Sequence, residues 1–348
     1  MLTACHGQNT SNKATSFEPL AATGDTVAEL GKNLMVIYQD KQNSYWFGSW
    51  EDGLYRYDGK VIIHFTTQHG LPHNRIDNIE EDNEGNLYFN TPGGISKFDG
   101  LRFTTLQLTE SSNSEWKLEP GDLWFKGVQN AGVVYRYDGQ FLYQLKLPEI
   151  KLGEDYMAAH PHSQYPGMNF SIYDVYTIYK DVKGNIWFGT GSLGLCRFDG
   201  KSIEWITEED VIELHDGPAN GVRSIIEDKE GNFWFSNTLY RYKIYQDKSG
   251  MKYDRQPGIG SLDGKPDSDQ KEYLSAVVDN IGDVWIVTYA AGVWRYDGKK
   301  ITHYPVLEGG TQIKLFSIFK DHQGGLWLGT HENGTYRYHG GAFEEFRP

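Results

Sequence analysis

The side chains best suited to bind a ligand lie where seven otherwise similar segments of the chain differ from one another. Indole, imidazole, carboxylate and amide groups occur together at these positions. Aromatic faces beside carboxylates and amides suit a sugar, because a sugar ring has apolar faces and a rim of hydroxyls. The candidate ligand-binding residues are Trp50, Glu51, His73, Gln129, Asn130, Tyr289, His331 and Glu332.

Two histidines, His160 and His162, flank a proline and could bind a metal ion. Two imidazoles without a nearby cysteine or carboxylate make a weak metal site. We therefore expect no metal and no other cofactor, with a bound divalent cation as the less favoured alternative. The sequence contains no Gly-x-Ser-x-Gly, His-Glu-x-x-His or phosphate-loop motif. These observations favour a protein without catalytic residues over an enzyme.

The residues that recur in every segment are assigned to structure instead of chemistry. Residues 181–200 read DVKGNIWFGTGSLGLCRFDG. An aspartate before x-x-Gly accepts hydrogen bonds within its own turn, and an Asp-Gly pair suits a two-residue hairpin. Apolar, strand-forming runs separate these turns. This order predicts a small antiparallel sheet.

Copies of this segment recur after roughly 40–50 residues, which is the period of a β-propeller blade. Their central aromatic residues are Trp46, Tyr88, Trp124, Trp187, Trp234, Trp285 and Trp327. A fourth strand follows the Asp-Gly turn. The sequence therefore predicts an all-β fold over residues 17–348, a seven-bladed propeller of four-stranded antiparallel blades. Two alternatives for ring closure stay open: an extra strand from residues 17–20 beside the last blade, or direct packing of the first blade on the last.

The order of the turns predicts which face of the propeller binds a ligand. With strands counted from the axis outward, both tight turns fall on one face. The second-to-third loops and the connections between blades fall on the opposite face. Two long insertions, 148–170 and 257–272, lie in those connections. Elaborated loops on a repetitive scaffold usually mark the binding face.

The composition excludes some partners. The 348 residues carry a formal net charge of −14, which repels phosphate backbones, so we expect no nucleic-acid partner. The sequence contains no apolar run of about 18 residues that could span a membrane. Cys196 lies in a repeat strand and is assigned to core packing.

The N-terminal residues 2–5, Leu-Thr-Ala-Cys, resemble a bacterial lipobox, in which the cysteine is lipidated. Cys5 is then a lipidation site, and residues 1–16 form the motif and a flexible polar tether. The alternative is a chance match of four residues. The motif predicts an extracytoplasmic protein, anchored by lipid to a bacterial membrane and facing the periplasm or the cell surface.

The repeats resemble those of the two-component regulator propeller family. Each combines Asp-x-x-Gly-Asn, an apolar residue and Trp with a later Arg-Tyr-Asp-Gly or its equivalent. The resemblance covers about residues 34–348 and is strongest in the copies that begin at Asp40, Asp181 and Asp321. Propellers of that family commonly form the periplasmic sensing part of hybrid histidine kinases, often for glycan fragments. The resemblance implies a propeller fold and ligand binding more firmly than a signalling role.

These observations predict a non-catalytic, extracytoplasmic, sensor-type propeller that binds a small glycan or peptide. One alternative is a scaffold for a partner protein on the same face. A second alternative is a metal-dependent lyase resembling the streptogramin lyases, which are also seven-bladed propellers. That activity needs a histidine–glutamate pair at the axis, which His331 with Glu332, or Glu51 with His73, could supply.

Overall fold

The fold is a ring of antiparallel sheets, each formed by consecutive strands of the chain. The computed structural model describes residues 23–109, 116–128, 132–159, 171–207, 221–238, 240–257 and 273–348. Seven sheets are blades of the propeller, which confirms the predicted all-β seven-bladed fold. No helix in these described ranges is long and apolar enough to cross a membrane.

Within each blade, chain order is also the order of the strands from the axis outward. Blade 1 contains β2 (Leu34–Gln39), β3 (Tyr45–Ser49), β4 (Leu54–Tyr57) and β5 (Ile62–Phe65). Blade 2 contains β6 (Asn78–Glu81), β7 (Leu87–Thr91), β8 (Gly94–Phe98) and β9 (Phe103–Thr105). Blade 3 contains β10 (Leu123–Lys126), β11 (Val133–Tyr137) and β12 (Leu142–Lys146). Blade 4 contains β13 (Val175–Lys180), β14 (Ile186–Thr190), β15 (Leu195–Phe198) and β16 (Ile203–Ile206).

The remaining blades follow the same pattern. Blade 5 contains β17 (Ile225–Glu227), β18 (Asn232–Phe235), β19 (Arg241–Asp247) and β20 (Gly250–Gln256). Blade 6 contains β21 (Tyr273–Val278), β22 (Val284–Thr288), β23 (Val293–Tyr296) and β24 (Ile301–Tyr304). Blade 7 contains β27 (Leu315–Lys320), β28 (Leu326–Thr330), β29 (Thr335–His339) and β30 (Ala342–Glu345). Outside the blade pattern lie β1 (Asp25–Val27), a hairpin of β25 (Leu307–Glu308) and β26 (Thr311–Gln312), a 3-10 turn (Thr67–His69) and helix α1 (Lys151–Ala159).

The recurring aspartate connects the first turn of a blade to its central tryptophan. In blade 4, Asp181 Oδ1 accepts a hydrogen bond from the Asn185 backbone N–H at 2.8 Å, and Asp181 Oδ2 accepts one from Trp187 Nε1 at 2.9 Å. The same aspartate–indole bond recurs in blades 1, 5, 6 and 7, at distances between 2.7 and 2.9 Å. These carboxylates stabilise turns and the core, which agrees with the structural assignment made from the sequence.

The central tryptophans hold neighbouring blades together. The Trp46 ring of blade 1 lies 5.5 Å from the Phe89 ring of blade 2. The Trp187 ring of blade 4 lies 4.9 Å from the Phe233 ring of blade 5. Both tryptophans are almost completely buried. Because these wide apolar surfaces fill the space between sheets, the ring is stiff.

Direct contacts between blades 7 and 1 close the ring in the described part of the chain. The Trp327 ring lies 4.6 Å from the Tyr45 ring, and Ser317 Oγ donates a hydrogen bond to the Met35 carbonyl at 2.6 Å. Strand β1 pairs antiparallel with β5 at the outer edge of blade 1. Residues 17–20, the alternative extra strand beside blade 7, lie outside the described residues.

Blade 3 departs from the repeat. Its sheet has three strands in the described residues, and β10, which carries the central Trp124, is the innermost of them. The residue before this strand, Asp122, pairs with Arg136 at 2.6 Å, and both side chains are buried. Trp124 Nε1 has no hydrogen-bond partner among the described residues. The absence of the usual turn aspartate, visible in the sequence, therefore changes the interior of this blade.

Candidate functional site

One face of the propeller is formed by the second-to-third strand loops and the connections between blades; we call it the loop face. On this face, the loop of one blade bonds to the connection that enters the next. The Ile76 N–H donates to the Ser49 carbonyl, and the Val222 N–H donates to the Thr190 carbonyl, each at 2.9 Å. These bonds fix the loops to the rigid ring, so side chains on the loop face have defined positions.

An axial cavity of about 260 Å³ lies at the loop-face end of the innermost strands. Its polar wall includes Asp77, Asn78, Lys126, Tyr176, Arg223 and Ser275. Its apolar wall includes Met35, Ile37, Ile178, Phe316, Ile318 and Phe319. Lys126 lines the cavity from the end of β10, which is the innermost strand of blade 3 among the described residues. A cavity with apolar walls and a few polar groups is typical of a small-molecule site.

Positive charge is concentrated around this cavity. Burial lowers the pKa of the Lys126 ammonium, the Asp77 carboxylate opposes this shift, and the nearby Arg75 and Arg223 add to it. Burial also lowers the pKa of the Arg223 guanidinium, whose Cζ lies 4.2 Å from the centre of the Tyr176 ring. Removing a cation from water is costly unless an anion or dipole compensates. The cavity is therefore a site where an anionic group would be stabilised.

One carboxylate of the cavity wall is only partly satisfied. Asp77 Oδ1 pairs with Arg75 at 2.7 Å, and the Asp77 side chain is 3% exposed. Its second oxygen, Oδ2, is buried and has no hydrogen-bond partner among the described residues. A buried acceptor without a donor is rare in folded proteins and often marks a place where a ligand or water binds.

Arg75 connects the axial cavity to two of the predicted site residues. Its guanidinium carbon lies 3.5 Å from the centre of the Trp50 indole, and its backbone N–H donates to His73 Nδ1 at 2.9 Å. Trp50 is 37% exposed. The structure thus places Trp50 and His73 around Arg75. Arg75 is not among the site residues predicted from the sequence. One feature of the sequence could have identified Arg75 as a site residue: it lies two residues after His73, in the connection that enters blade 2.

The other predicted residues on blades 1 and 6 are exposed on the loop face. Glu51 follows Trp50, and its backbone N–H donates to Ser49 Oγ at 3.3 Å. Tyr289 is 41% exposed, and its carbonyl accepts a hydrogen bond from the Leu315 N–H at 2.9 Å. Neither Glu51 nor Tyr289 is part of the wall of the axial cavity.

His331 and Glu332 lie on the loop of blade 7, where His331 Nδ1 is 3.6 Å from Glu332 Oε1. Glu332 lines a second cavity of about 980 Å³, between blade 7 and the segment that follows β1. We call it the rim cleft; its charged residues are Glu29, Lys32, Glu308, Glu332, Glu345 and Arg347. Of the two histidine–glutamate pairs considered for a lyase, His331 with Glu332 therefore lies at the rim cleft. Glu51 and His73, the other pair, are not part of the wall of the axial cavity either.

Several predicted residues lie outside the described part of the chain. They are Cys5, Gln129, Asn130, His160 and His162, together with residues 160–170 and 258–272 of the two long insertions. The described residues contain no group of three or more histidine, cysteine, aspartate or glutamate side chains that could hold a metal ion. The lipidation of Cys5 and the roles of the other four residues stay predictions.

A family model described as the two-component regulator propeller matches residues 169–192 and 216–239. The first match contains the turn and central strand of blade 4, and the second contains those of blade 5. The chain carries two-component regulator propeller repeats. This confirms the family resemblance inferred from the repeated residues. A comparison with curated proteins found no match.

Solved structures share the propeller fold. The extracellular domain of BT4673 from B. thetaiotaomicron, described as part of a one-component system, is 20% identical with a TM-score of 0.58 and covers 92% of this chain. An inactive variant of virginiamycin B lyase from Staphylococcus aureus, solved with quinupristin, is 14% identical with a TM-score of 0.56; the match covers 87% of this chain and 95% of the lyase. YCF48 from Cyanidioschyzon merolae is 12% identical with a TM-score of 0.59, over 91% and 98% of the two chains.

The low identities of these three proteins to the present chain show a common fold alone. The present chain spans 39% of the length of the BT4673 extracellular domain. The comparisons therefore establish a propeller fold with two-component regulator repeats. The function of the protein is inferred from the residues of its site.

Proposed function

We propose that this chain is a non-catalytic, extracytoplasmic, sensor-type propeller that binds a small glycan or peptide on its loop face. The observation that carries the proposal is the exposed Trp50 indole stacked on Arg75, beside the axial cavity. A stacked cation orients the indole, and a rigid aromatic side chain loses little conformational entropy when it contacts a ligand. An oriented indole next to a cavity of mixed polarity suits a sugar ring or a peptide side chain.

The likeness to the BT4673 extracellular domain supports the extracytoplasmic location in the proposal. The proposal also includes a lipid anchor on Cys5. Mass spectrometry of the protein isolated from its own membranes tests this part. A diacylglyceryl group on Cys5, lost in Cys5→Ser, would support the anchor, and an unmodified Cys5 thiol would refute it.

Binding is tested by a thermal-shift screen against small glycans and short peptides. A ligand present at 100 times its dissociation constant adds about 2.7 kcal/mol to the free energy of unfolding. For any ligand found, we expect Trp50→Ala and Tyr289→Ala to weaken binding about tenfold or more, because each removes an exposed aromatic contact on the loop face.

The chain offers a matched control for Tyr289→Ala. Tyr245 is 39% exposed, close to the 41% of Tyr289, but it lies on β19 near the tight turn of the opposite face. Tyr245→Ala should leave the affinity unchanged. Equal affinities of wild type, Trp50→Ala and Tyr289→Ala would refute the loop-face placement, and a screen without any binder would refute the proposed function itself.

A further inference from the structure

The axial cavity differs in charge from the rest of the protein. The chain as a whole carries a formal net charge of −14. The cavity wall nevertheless contains Lys126 and Arg223 with one carboxylate, Asp77, which is already paired with the adjacent Arg75. With Arg75 counted as a neighbour, three cations lie in or beside the described part of the wall, and Asp77 is the one carboxylate within that part. In an acidic protein, a cationic cavity at the axis attracts an anion that the outer surface repels.

The neighbouring carboxylates do not reverse this charge. Asp174, two residues before Tyr176, accepts a hydrogen bond from the Ser171 N–H at 2.9 Å. Its one negative charge, added to that of Asp77, still leaves the three cations in excess. Glu80 lies two residues beyond Asn78 on β6 and accepts a hydrogen bond from Asn78 Nδ2 at 2.9 Å. Burial raises the pKa of Glu80 to about 7, so near neutral pH it carries less than a full negative charge.

The volume of the axial cavity and the uncharged side chains of its wall limit the size and the chemistry of a ligand that fits it. A volume of about 260 Å³ lies just below the roughly 300–1,000 Å³ of sites for drug-sized molecules. One sugar unit is therefore a better fit than an extended chain. Asn78 and Tyr176 offer polar groups to hydroxyls, while Phe316 and Phe319 offer apolar contacts. Ser275 Oγ already bonds the Ile318 backbone.

We infer that the axial cavity binds the carboxylate-bearing sugar unit of an acidic saccharide, with Lys126 and Arg223 holding the carboxylate. The sugar hydroxyls would reach Asn78, Tyr176 and the unpaired Asp77 Oδ2, which accepts a hydroxyl hydrogen. This inference rests on the proposed loop-face binding and specifies its ligand class. Cationic side chains hold carboxylates by charge-assisted hydrogen bonds, which are stronger than neutral ones and still stronger in a partly desolvated cavity.

The test compares D-glucuronate with D-glucose, which differ by the carboxylate, in calorimetric titrations of the full chain. We expect glucuronate to bind at least tenfold more tightly than glucose, and we expect rising salt to weaken its binding. Inorganic sulfate serves as a third probe that contains the charge without the sugar. We expect it to compete with glucuronate but to bind more weakly.

Lys126→Gln removes the ammonium with little change in length, and Lys126→Arg keeps the charge. We expect the first to weaken glucuronate binding at least tenfold and the second to retain most of it. Lys183→Gln, which alters an exposed lysine in a turn on the opposite face, is the control. Competition by sulfate on the wild type tests the site even if Lys126→Gln does not fold.

Four outcomes overturn the inference: equal affinity for glucose and glucuronate, no binding of glucuronate, sulfate binding as tightly as glucuronate, or an unchanged affinity in Lys126→Gln. The proposed function fails separately. If neutral glycans or peptides bind and their affinity depends on Trp50, the loop-face function stands and only the acidic ligand class is wrong.

Discussion

Two buried aspartates show how the same side chain serves the fold in one place and a candidate site in another. Asp181 uses both oxygens within its own blade, for the Asn185 N–H and the Trp187 indole. Asp77 uses Oδ1 for Arg75 and leaves Oδ2 without a partner among the described residues. A fully bonded carboxylate is explained by its blade, whereas a partly bonded one at a cavity is available to a ligand.

Glu80 gives a pH-dependent prediction. Burial raises its pKa in the folded protein from an ordinary value near 4.5 to about 7. Between these values the folded protein binds more protons than the unfolded chain. The free energy of unfolding should therefore fall as the pH rises from about 4.5 to about 7, with a contribution from Glu80 of about 1–3 kcal/mol.

Urea unfolding of the wild type and Glu80→Gln at pH 5 and pH 8 measures this contribution. The wild type should lose more stability between the two pH values than the variant, since glutamine does not titrate. Glu344→Gln alters an exposed carboxyl on β30 and should retain the wild-type pH dependence. The same loss in wild type and Glu80→Gln would show that Glu80 does not titrate as described.

Sequence reasoning at this scale identified exposed residues better than buried ones. Trp50 and Tyr289 were selected because they break the repeat, and both are exposed on the loop face. Arg75, Lys126 and Arg223 were not selected, because a lone cation in a sequence gives no sign that it lies in a cavity. Only the ring brings Lys126 and Arg223 into one cavity wall, with Arg75 near enough to affect the Lys126 ammonium.

At the scale of a structural element, blade 3 is the exception that shapes the cavity. Its innermost described strand is β10, which in the repeat corresponds to the second strand of a blade. Lys126, the last residue of β10, therefore lines the axis. The sequence indicated the anomaly, because this copy lacks the leading aspartate. It did not indicate the consequence, which depends on how the strands are placed around the ring.

The missing turn aspartate gives a prediction about two tryptophans. Trp187 donates its indole N–H to Asp181 at 2.9 Å, whereas Trp124 Nε1 has no partner among the described residues. Trp187→Phe removes one of the two donors to the buried Asp181 Oδ2, which still accepts a hydrogen bond from Asn185 Nδ2 at 2.7 Å. Trp124→Phe removes a buried donor that is already unsatisfied. We expect Trp187→Phe to lose about 1–3 kcal/mol more in the free energy of unfolding than Trp124→Phe does.

Chemical unfolding of the two variants, followed by circular dichroism, measures this difference. The two substitutions remove the same atoms from two buried positions, so each is the control for the other. Equal losses of stability, or a larger loss in Trp124→Phe, would mean that the aspartate–indole bond contributes little to the blades.

At the scale of the whole molecule, stability depends on the closure of the ring. Trp327 lies at the junction of blades 7 and 1, close to Tyr45, Phe47 and Phe346. Truncating a buried tryptophan costs about 3–5 kcal/mol. We expect Trp327→Ala to reduce the free energy of unfolding by about this amount. Removal of β1, which is a short edge strand on the outside of blade 1, should cost less.

Thermal and urea unfolding of Trp327→Ala and of a chain that begins at Ala28 test this order. If loss of β1 proves more damaging than Trp327→Ala, then the outer strand and not the packing of the two blades closes the ring. The period of the repeats predicted seven blades, but it could not decide between the closures. Direct packing uses repeat residues such as Trp327, whereas an extra strand comes from residues outside the repeat, on which the period gives no information.

The central claim is that the loop-face end of the axis binds a ligand and leaves it chemically unchanged. A crystal structure of the protein soaked with a ligand from the binding screen tests this most directly. The account predicts electron density for the intact ligand over the axial cavity, in contact with Trp50 or Lys126. Density in the rim cleft beside Glu332, or density for a cleaved product, would contradict it.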